Sequence, residues 1–408
     1  MFDLMMSLSM AMDLISPELA NHHKQVSYLS FALASEYGLS VEEQKNLVLA
    51  GAVHDIGAIR LKDRLELMKY LPENPHERSE FGYKLLKTMK VLLPIAEQVR
   101  FHHVYWDYGN GQKFNDHDVP LSSHILHLSD RISVLIDPSK NVLSQVRDIK
   151  NHIIEQKDKM FHPDLVDTFL NMADKEYLWL DMTSNYINSI ILKSLEFEPL
   201  EQENLLDIAK LFSRIIDFRS PFTATHSSGL AVTATCIAKF SRFSDHDCAM
   251  MEMAGYLHDL GKLAVPAEIL EKPQLLTAED IHIVRAHTYY TYRILEQIEG
   301  LQEVNSWASF HHERMDGKGY PFHIKGENLS LGSRILAVAD VFTALTEERP
   351  YREGLDEVKT MKIMKSMANS GTLDENIVNL VDSNFEIINN ARAEAQESAR
   401  HLHNEFNS

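Results

Sequence analysis

His258-Asp259-Leu260-Gly261-Lys262, then His287, then His311-His312-Glu313-Arg314-Met315-Asp316-Gly317-Lys318-Gly319-Tyr320-Pro321 is the stretch that decides the fold and the chemistry. The His-Asp pair closes an apolar run, Met250 to Leu257, and meets a glycine and a lysine at once, as a buried helix does where it ends at a site. With 21 His and 59 acidic residues in 408, such pairs also arise by chance; His117-Asp118 and His246-Asp247 sit in polar, loop-like surroundings. The double histidine at 311 and 312, followed by Glu313 and a glycine loop ending on Tyr320-Pro321, is far rarer. With His226 upstream and Asp340 downstream, the chain offers imidazoles and carboxylates enough for two metal ions.

The same pattern occurs twice. Ser16, Pro17, His22, His54, Asp55 and Gly57 match Ser220, Pro221, His226, His258, Asp259 and Gly261, each pair 204 positions apart. Beyond that the offset drifts: His76 is paired with His287, His102-His103 with His311-His312, and Asp130 with Asp340. A tandem duplication accounts for this. Apolar residues recur at three- and four-residue spacing in Leu47–Val53, Leu205–Ile216, Ala249–Leu257 and Ile281–Ile298, and sustained alternation is hard to find. The expected fold is all-α: a unit over 1–183, a helical connector over 184–204, a second unit over 205–392, and a polar C-terminal tail over 393–408.

A formal charge of −19 argues against binding duplex DNA or RNA or an anionic membrane surface, both of which favour a basic face. Cys236 and Cys248 are the only cysteines, too few for a disulfide framework. The apolar, methionine-rich start, Met1 to Ile15, contains Asp3 and Asp13 and fits an amphipathic helix better than a signal peptide. No apolar run approaches the roughly 18 residues of a spanning helix, so no membrane insertion is expected. The expected location is cytoplasmic.

Hydrolysing a phosphodiester needs a strong nucleophile at neutral pH, neutralised phosphoryl oxygens and a stabilised leaving alkoxide, which two metals about 3.5–4 Å apart can supply together. A carboxylate can bridge two ions through its two oxygens, which makes Asp259 the natural centre. Imidazole plus carboxylate without thiolate fits iron, manganese, nickel or zinc.

On the motifs from His226 to Arg352, the second unit resembles the HD-GYP family, which hydrolyses cyclic dinucleotides. The resemblance implies one metal on His226, His258, Asp259 and Asp340 and another on Asp259, His287, His311 and His312, with iron or manganese favoured. It gives the substrate side to Lys262, Lys318, Tyr320, Arg349 and Arg352; an arginine pair suits a phosphodiester better than a point charge. Some members recruit a third metal through a glutamate where this chain has Phe222, so two metals are expected. The implied reaction opens cyclic di-GMP or 3',3'-cyclic GMP-AMP to a linear, 5'-phosphorylated dinucleotide in bacterial second-messenger signalling.

The first unit keeps candidate ligands, His22, His54, Asp55, His76, His102, His103 and Asp130, but carries Ala58 for Lys262, Val104 for Glu313, and Ser139 and Val142 for the two arginines. A catalytically silent metal or nucleotide sensor, or a purely structural partner, is the expectation for it. Two rivals stand beside the phosphodiesterase: a non-catalytic sensor of the same fold, and an HD-type mononucleotide or alarmone phosphohydrolase, which would not require His311-His312-Glu313 or the loop through Pro321. A homodimer is carried as a further candidate assembly.

Overall fold

A computed structural model describes residues 1–13, 21–58, 66–219, 225–270, 272, 274–348 and 353–407. The chain divides into two compact units, Met1–Leu200 and Glu201–Ser408. Both are helical, as the periodicity predicts; β structure among the described residues amounts to one hairpin, Lys113–Phe114 against His117–Asp118, and an isolated bridge between Lys157 and Phe161, all in the first unit.

The repeat is visible in how each unit starts its central helix. Val41–Val53 begins at Ser40, whose hydroxyl accepts from the Glu43 amide while the Glu43 carboxylate accepts from the Ser40 amide. Asp245–Leu257 begins at Ser244, which accepts from the Asp247 amide. Such caps contribute about 1 kcal/mol each by satisfying amides that lack an intrahelical partner. These helices lie against His22–Tyr37 and His226–Phe240 respectively. The approach is close: a Cβ on Gly51 would stand 2.7 Å from Ser27 Cα, and one on Gly255 2.5 Å from Ala231 Cα. The crossing therefore places His54-Asp55 and His258-Asp259, which follow the two central helices, in equivalent positions.

Three details differ from the expectation. The first helix, Phe2–Asp13, is not amphipathic: Phe2, Leu4, Met5, Met6, Leu8, Ala11 and Met12 are buried, and so are Ser7 and Ser9, because the helix packs on both His22–Tyr37 and Val41–Val53. Within the segment expected to connect the units, Ile187–Ser194 buries Ile187 and Ile191 and packs on His22–Tyr37, so it belongs to the first unit. At the other end, Phe385–Asn407 forms one helix packed on His226–Phe240, and Gln396 is buried in the polar stretch expected to lie on the surface. Long-range burial of polar side chains carries no periodic signal, which is why the sequence did not mark it.

Candidate metal centre

Five histidines share one local device. His54, His102, His258, His287 and His311 each donate Nδ1–H to the carbonyl three residues earlier, on Gly51, Val99, Gly255, Val284 and Ala308, at 2.9, 2.6, 2.8, 2.6 and 2.6 Å. With the proton held there, Nε2 is a bare acceptor aimed inward.

In the second unit those acceptors converge. Asp259, 2% exposed, turns Oδ2 to His258 Nε2 at 3.0 Å and Oδ1 to His287 Nε2 at 3.4 Å. His287 Nε2 and His311 Nε2 face each other at 3.4 Å, and His312 packs its ring on His287. His226, at the start of its helix, sets Nε2 3.3 Å from Asp340 Oδ1. The potential ligand atoms thus gather as His226, His258 and Asp259 on one side and His287, His311 and His312 on the other, with the two oxygens of Asp259 facing both. Acceptor facing acceptor at such distances is repulsive unless a cation lies between, so the donor set fits divalent metal. Burial would depress His226, but Glu347 and Asp340 outweigh it and push the imidazole up to about 10; burial wins at His287 and takes it down to about 3.

Lys262 Nζ donates to Asp259 Oδ2 at 2.6 Å. Burial opposes its charge, yet Asp259 beside it raises the ammonium above its ordinary value, so it is a fixed cation at neutral pH. Tyr320 lies between the Arg285 guanidinium, 4.4 Å from its ring, and the His312 ring at 4.9 Å. Its loop is held from below: the buried Glu313 carboxylate accepts from the amides of Phe322 at 2.7 Å and Ile324 at 3.0 Å. Of the two loop glycines, Gly317 has a left-handed φ of 73°, whereas Gly319 is needed for space, since a Cβ there would stand 2.4 Å from Glu313 Cα. Lys318 is exposed. Arg349, Arg352 and Phe222 lie outside the described residues.

Several contributors escaped the sequence reading. Glu347 accepts from His226 Nδ1 at 3.0 Å and from Gln396 Nε2 at 3.1 Å, so the last helix supports a candidate ligand through one carboxylate. Glu347 follows Asp340 by seven residues, a helical spacing that could have flagged it; Gln396 offers no such signal. Asp217 is buried and accepts from Ser227 Oγ at 3.0 Å and Ser213 Oγ at 3.4 Å. Burial pushes its carboxyl from 3.8 up to about 8, against the pull of Ser227. Between those values the folded protein keeps a proton that the unfolded chain has released, so stability falls as pH rises through that window. Asp217→Asn, which cannot ionise, is expected to flatten the decline in metal-free protein. Thermal midpoints at pH 5 and pH 8 test this, and an unchanged slope would remove Asp217 as its source.

The first unit assembles only part of the set. His22, His54, Asp55, His102, His103 and Asp130 interlock in overlapping groups, with His22 Nε2 3.3 Å from Asp130 Oδ1 and His54 Nε2 3.4 Å from Asp55 Oδ2. His76 does not join them and needs correcting. A Cβ on Gly57 would meet Arg78 O at 2.0 Å and Gly82 N at 2.6 Å, as one on Gly261 would meet His287 O at 1.9 Å and Thr291 N at 2.7 Å. The register between copies is therefore 209 here (287 − 78 and 291 − 82), which gives His287's place to Arg78 and pairs His76 with Arg285. Pairing like with like across a loop of unequal length misled the sequence reading by two residues. A second departure is Arg131, 2% exposed, which donates to Asp130 Oδ2 from Nη2 at 2.6 Å and from Nε at 3.0 Å. Burial would raise Asp130, but this guanidinium holds it well below the usual carboxylate range.

HD-domain models match residues 19–135 and 210–377, one in each unit. A 3'3'-cGAMP-specific phosphodiesterase 1 from Vibrio cholerae is 30% identical over 388 residues, covering 92% of this chain and 90% of that protein. The cyclic di-GMP phosphodiesterase response regulator RpfG of Xanthomonas campestris is 38% identical over 160 residues, 39% of this chain and 41% of that one. A crystal structure of a cyclic GMP-AMP specific phosphodiesterase from Vibrio cholerae shares the fold with a TM-score of 0.66 at 22% identity, over 94% of this chain and 97% of that chain. With two HD domains in tandem, and the histidine pair and tyrosine-proline loop in the second, the chain belongs to the HD-GYP family of metal-dependent phosphodiesterases.

Proposed function

We propose that the second unit hydrolyses one phosphodiester of a cyclic dinucleotide, 3',3'-cyclic GMP-AMP or cyclic di-GMP, to the linear dinucleotide bearing a 5'-phosphate. The observation that carries this is Asp259, buried, with each carboxylate oxygen turned to a different set of histidines. The relatives that cover most of this chain are named for cyclic GMP-AMP, which favours that substrate. Two divalent ions are assigned here, one with His226, His258, Asp259 and Asp340, the other with Asp259, His287, His311 and His312, iron or manganese before nickel or zinc. When bound, they supply an activated water and charge neutralisation on the phosphoryl oxygens.

The chain's own residues supply the rest. Water oxygen adds to phosphorus, the bond from phosphorus to the 3'-oxygen breaks, and that oxygen leaves with a proton. Lys262, permanently charged, favours the negative charge gathering on the phosphoryl oxygens and is not a base. Tyr320, in ring contact with Arg285 and His312, is assigned to the substrate, with Lys318, Arg349 and Arg352 as phosphate contacts. The first unit, with Ala58 and Val104 in place of Lys262 and Glu313 and no tyrosine-proline loop, is assigned no turnover.

Protein reconstituted with manganese or iron is expected to convert at least one guanine-containing 3',5'-linked cyclic dinucleotide to its linear product. Chromatography of parallel reactions with cyclic di-GMP, cyclic GMP-AMP and cyclic di-AMP reads this out. Absence of linear product from all three, in protein carrying two metals in the second unit, overturns the assignment.

A further inference from the structure

His226 is tied differently from the five histidines that donate to a carbonyl three residues back. It is the first residue of its helix, and its Nδ1 donates to a side chain, Glu347 Oε2, at 3.0 Å. His22 opens the corresponding helix of the first unit in the same way. Its Nδ1 donates to Ser133 Oγ at 3.0 Å, and that hydroxyl donates in turn to Gln25 Oε1 at 2.7 Å. Each unit thus holds its first histidine through a short relay of side chains.

The relays differ in where the glutamine comes from. At the spacing that pairs His22 with His226, Gln25 falls on Gly229, since 226 − 22 and 229 − 25 are both 204. With no side chain at 229, Gln396 of the last helix comes in over the glycine: a Cβ there would stand 2.8 Å from Gln396 Cγ, Cδ and Nε2. Gln396 Nε2 donates to Glu347 Oε2 at 3.1 Å, the same oxygen that receives His226. Gln396 Oε1 accepts from Arg392 Nη1, one turn earlier on the same helix. Arg392 is fixed in turn by Asn389 Oδ1, which accepts from its Nε at 3.1 Å and Nη2 at 3.0 Å. His226, Glu347, Arg392 and Gln396 are all buried, none more than 7% exposed.

An imidazole that donates Nδ1–H to a carboxylate is fixed in tautomer and ring direction and is a more basic ligand through Nε2. The neutral hydroxyl of Ser133 supplies direction without that charge. We infer that Glu347 and Gln396 are positioning residues for His226: the carboxylate strengthens its hold on a divalent ion, and the amide, steadied by Arg392, keeps the carboxylate turned to the imidazole. This rests on the assignment of an ion to His226 in the second unit. Gly229 is the position that admits the last helix to the relay.

Equilibrium dialysis of the full chain against graded manganese(II), with bound metal counted, tests the assignment. Glu347→Gln keeps the size and removes the charge. Gln396→Met keeps a similar volume and removes the amide, and Gly229→Ala asks only the flexible end of Gln396 to move, so it displaces the amide in a chain that still folds. Each is expected to weaken one bound ion by about ten- to a hundredfold and to leave any other ion as in wild type. A merely structural role would instead lower the thermal midpoint of metal-free protein and leave the affinity of that one ion unchanged. Wild-type affinity in Glu347→Gln, or in both Gln396→Met and Gly229→Ala, overturns the inference, as does equal weakening of every ion. His226→Ala separates this from the metal assignment beneath it. An ion lost with His226→Ala yet indifferent to the other substitutions overturns the positioning role alone, whereas no ion lost with His226→Ala overturns the metal assignment and this role together.

Discussion

Asp259→Asn is expected to lower turnover on the order of a thousandfold and to strip the second unit of its metal at the same time. The amide keeps the shape of the carboxylate but has one oxygen instead of two and no charge, so it cannot face both His258 and His287 as an anion. It also removes the anion 2.6 Å from Lys262 Nζ, on a side chain 22% exposed, and so weakens the field that holds that ammonium in place. Metal analysis beside single-turnover chemistry distinguishes the outcomes: full metal content with wild-type turnover would show that the bridging position has been misassigned. Asp55→Asn, the equivalent change in the first unit, is the matched control and should leave the metal held by the second unit in place.

Glu313→Ala is expected to disable the enzyme without touching a ligand. Its carboxylate is the acceptor for the amides of Phe322 and Ile324, on the far side of Tyr320, and its loss orphans both. Each stranded amide costs about 1–3 kcal/mol, so the thermal midpoint should fall and Tyr320 should lose its seat on His312. The loss in kcat/KM should be about a hundredfold or more, since a displacement of the order of 1 Å at a positioned group suffices for that. Glu313→Gln, which retains one acceptor oxygen, should recover part of both effects. Metal content equal to wild type in Glu313→Ala, together with unimpaired kcat/KM, would show that the loop has no part in substrate handling.

The Glu313 case shows what the sequence could and could not convey. That the chain is helical, duplicated, and built round His258-Asp259 and His311-His312 was legible, because helical periodicity and rare local strings are short-range signals. Glu313 is legible only as part of the string, and its contacts are with the loop backbone nine and eleven residues on. The contributions of Glu347 and Gln396 to His226 depend on helices far apart in sequence, and spacing alone does not predict such meetings. His76 failed for a different reason. Two histidines in corresponding helices were matched by identity, when the packing of Gly57 and Gly261 sets a register that places Arg78 opposite His287.

Arg131 gives the duplication an asymmetry that extends to how each half endures metal scarcity. Its guanidinium is anchored by the carbonyls of Leu67, Lys69 and Tyr70 as well as by Asp130, and a covalently attached cation cannot be drawn off by a chelator. The first unit therefore carries part of its counter-charge permanently, as a built-in substitute for an ion. In the second unit Asp340 faces His226 with no arginine at hand in the equivalent place, where the chain has Val341. When divalent metal is scarce, the fixed charge sits in different places in the two halves: on Asp130 through Arg131 in the first, and on Asp259 through Lys262 in the second.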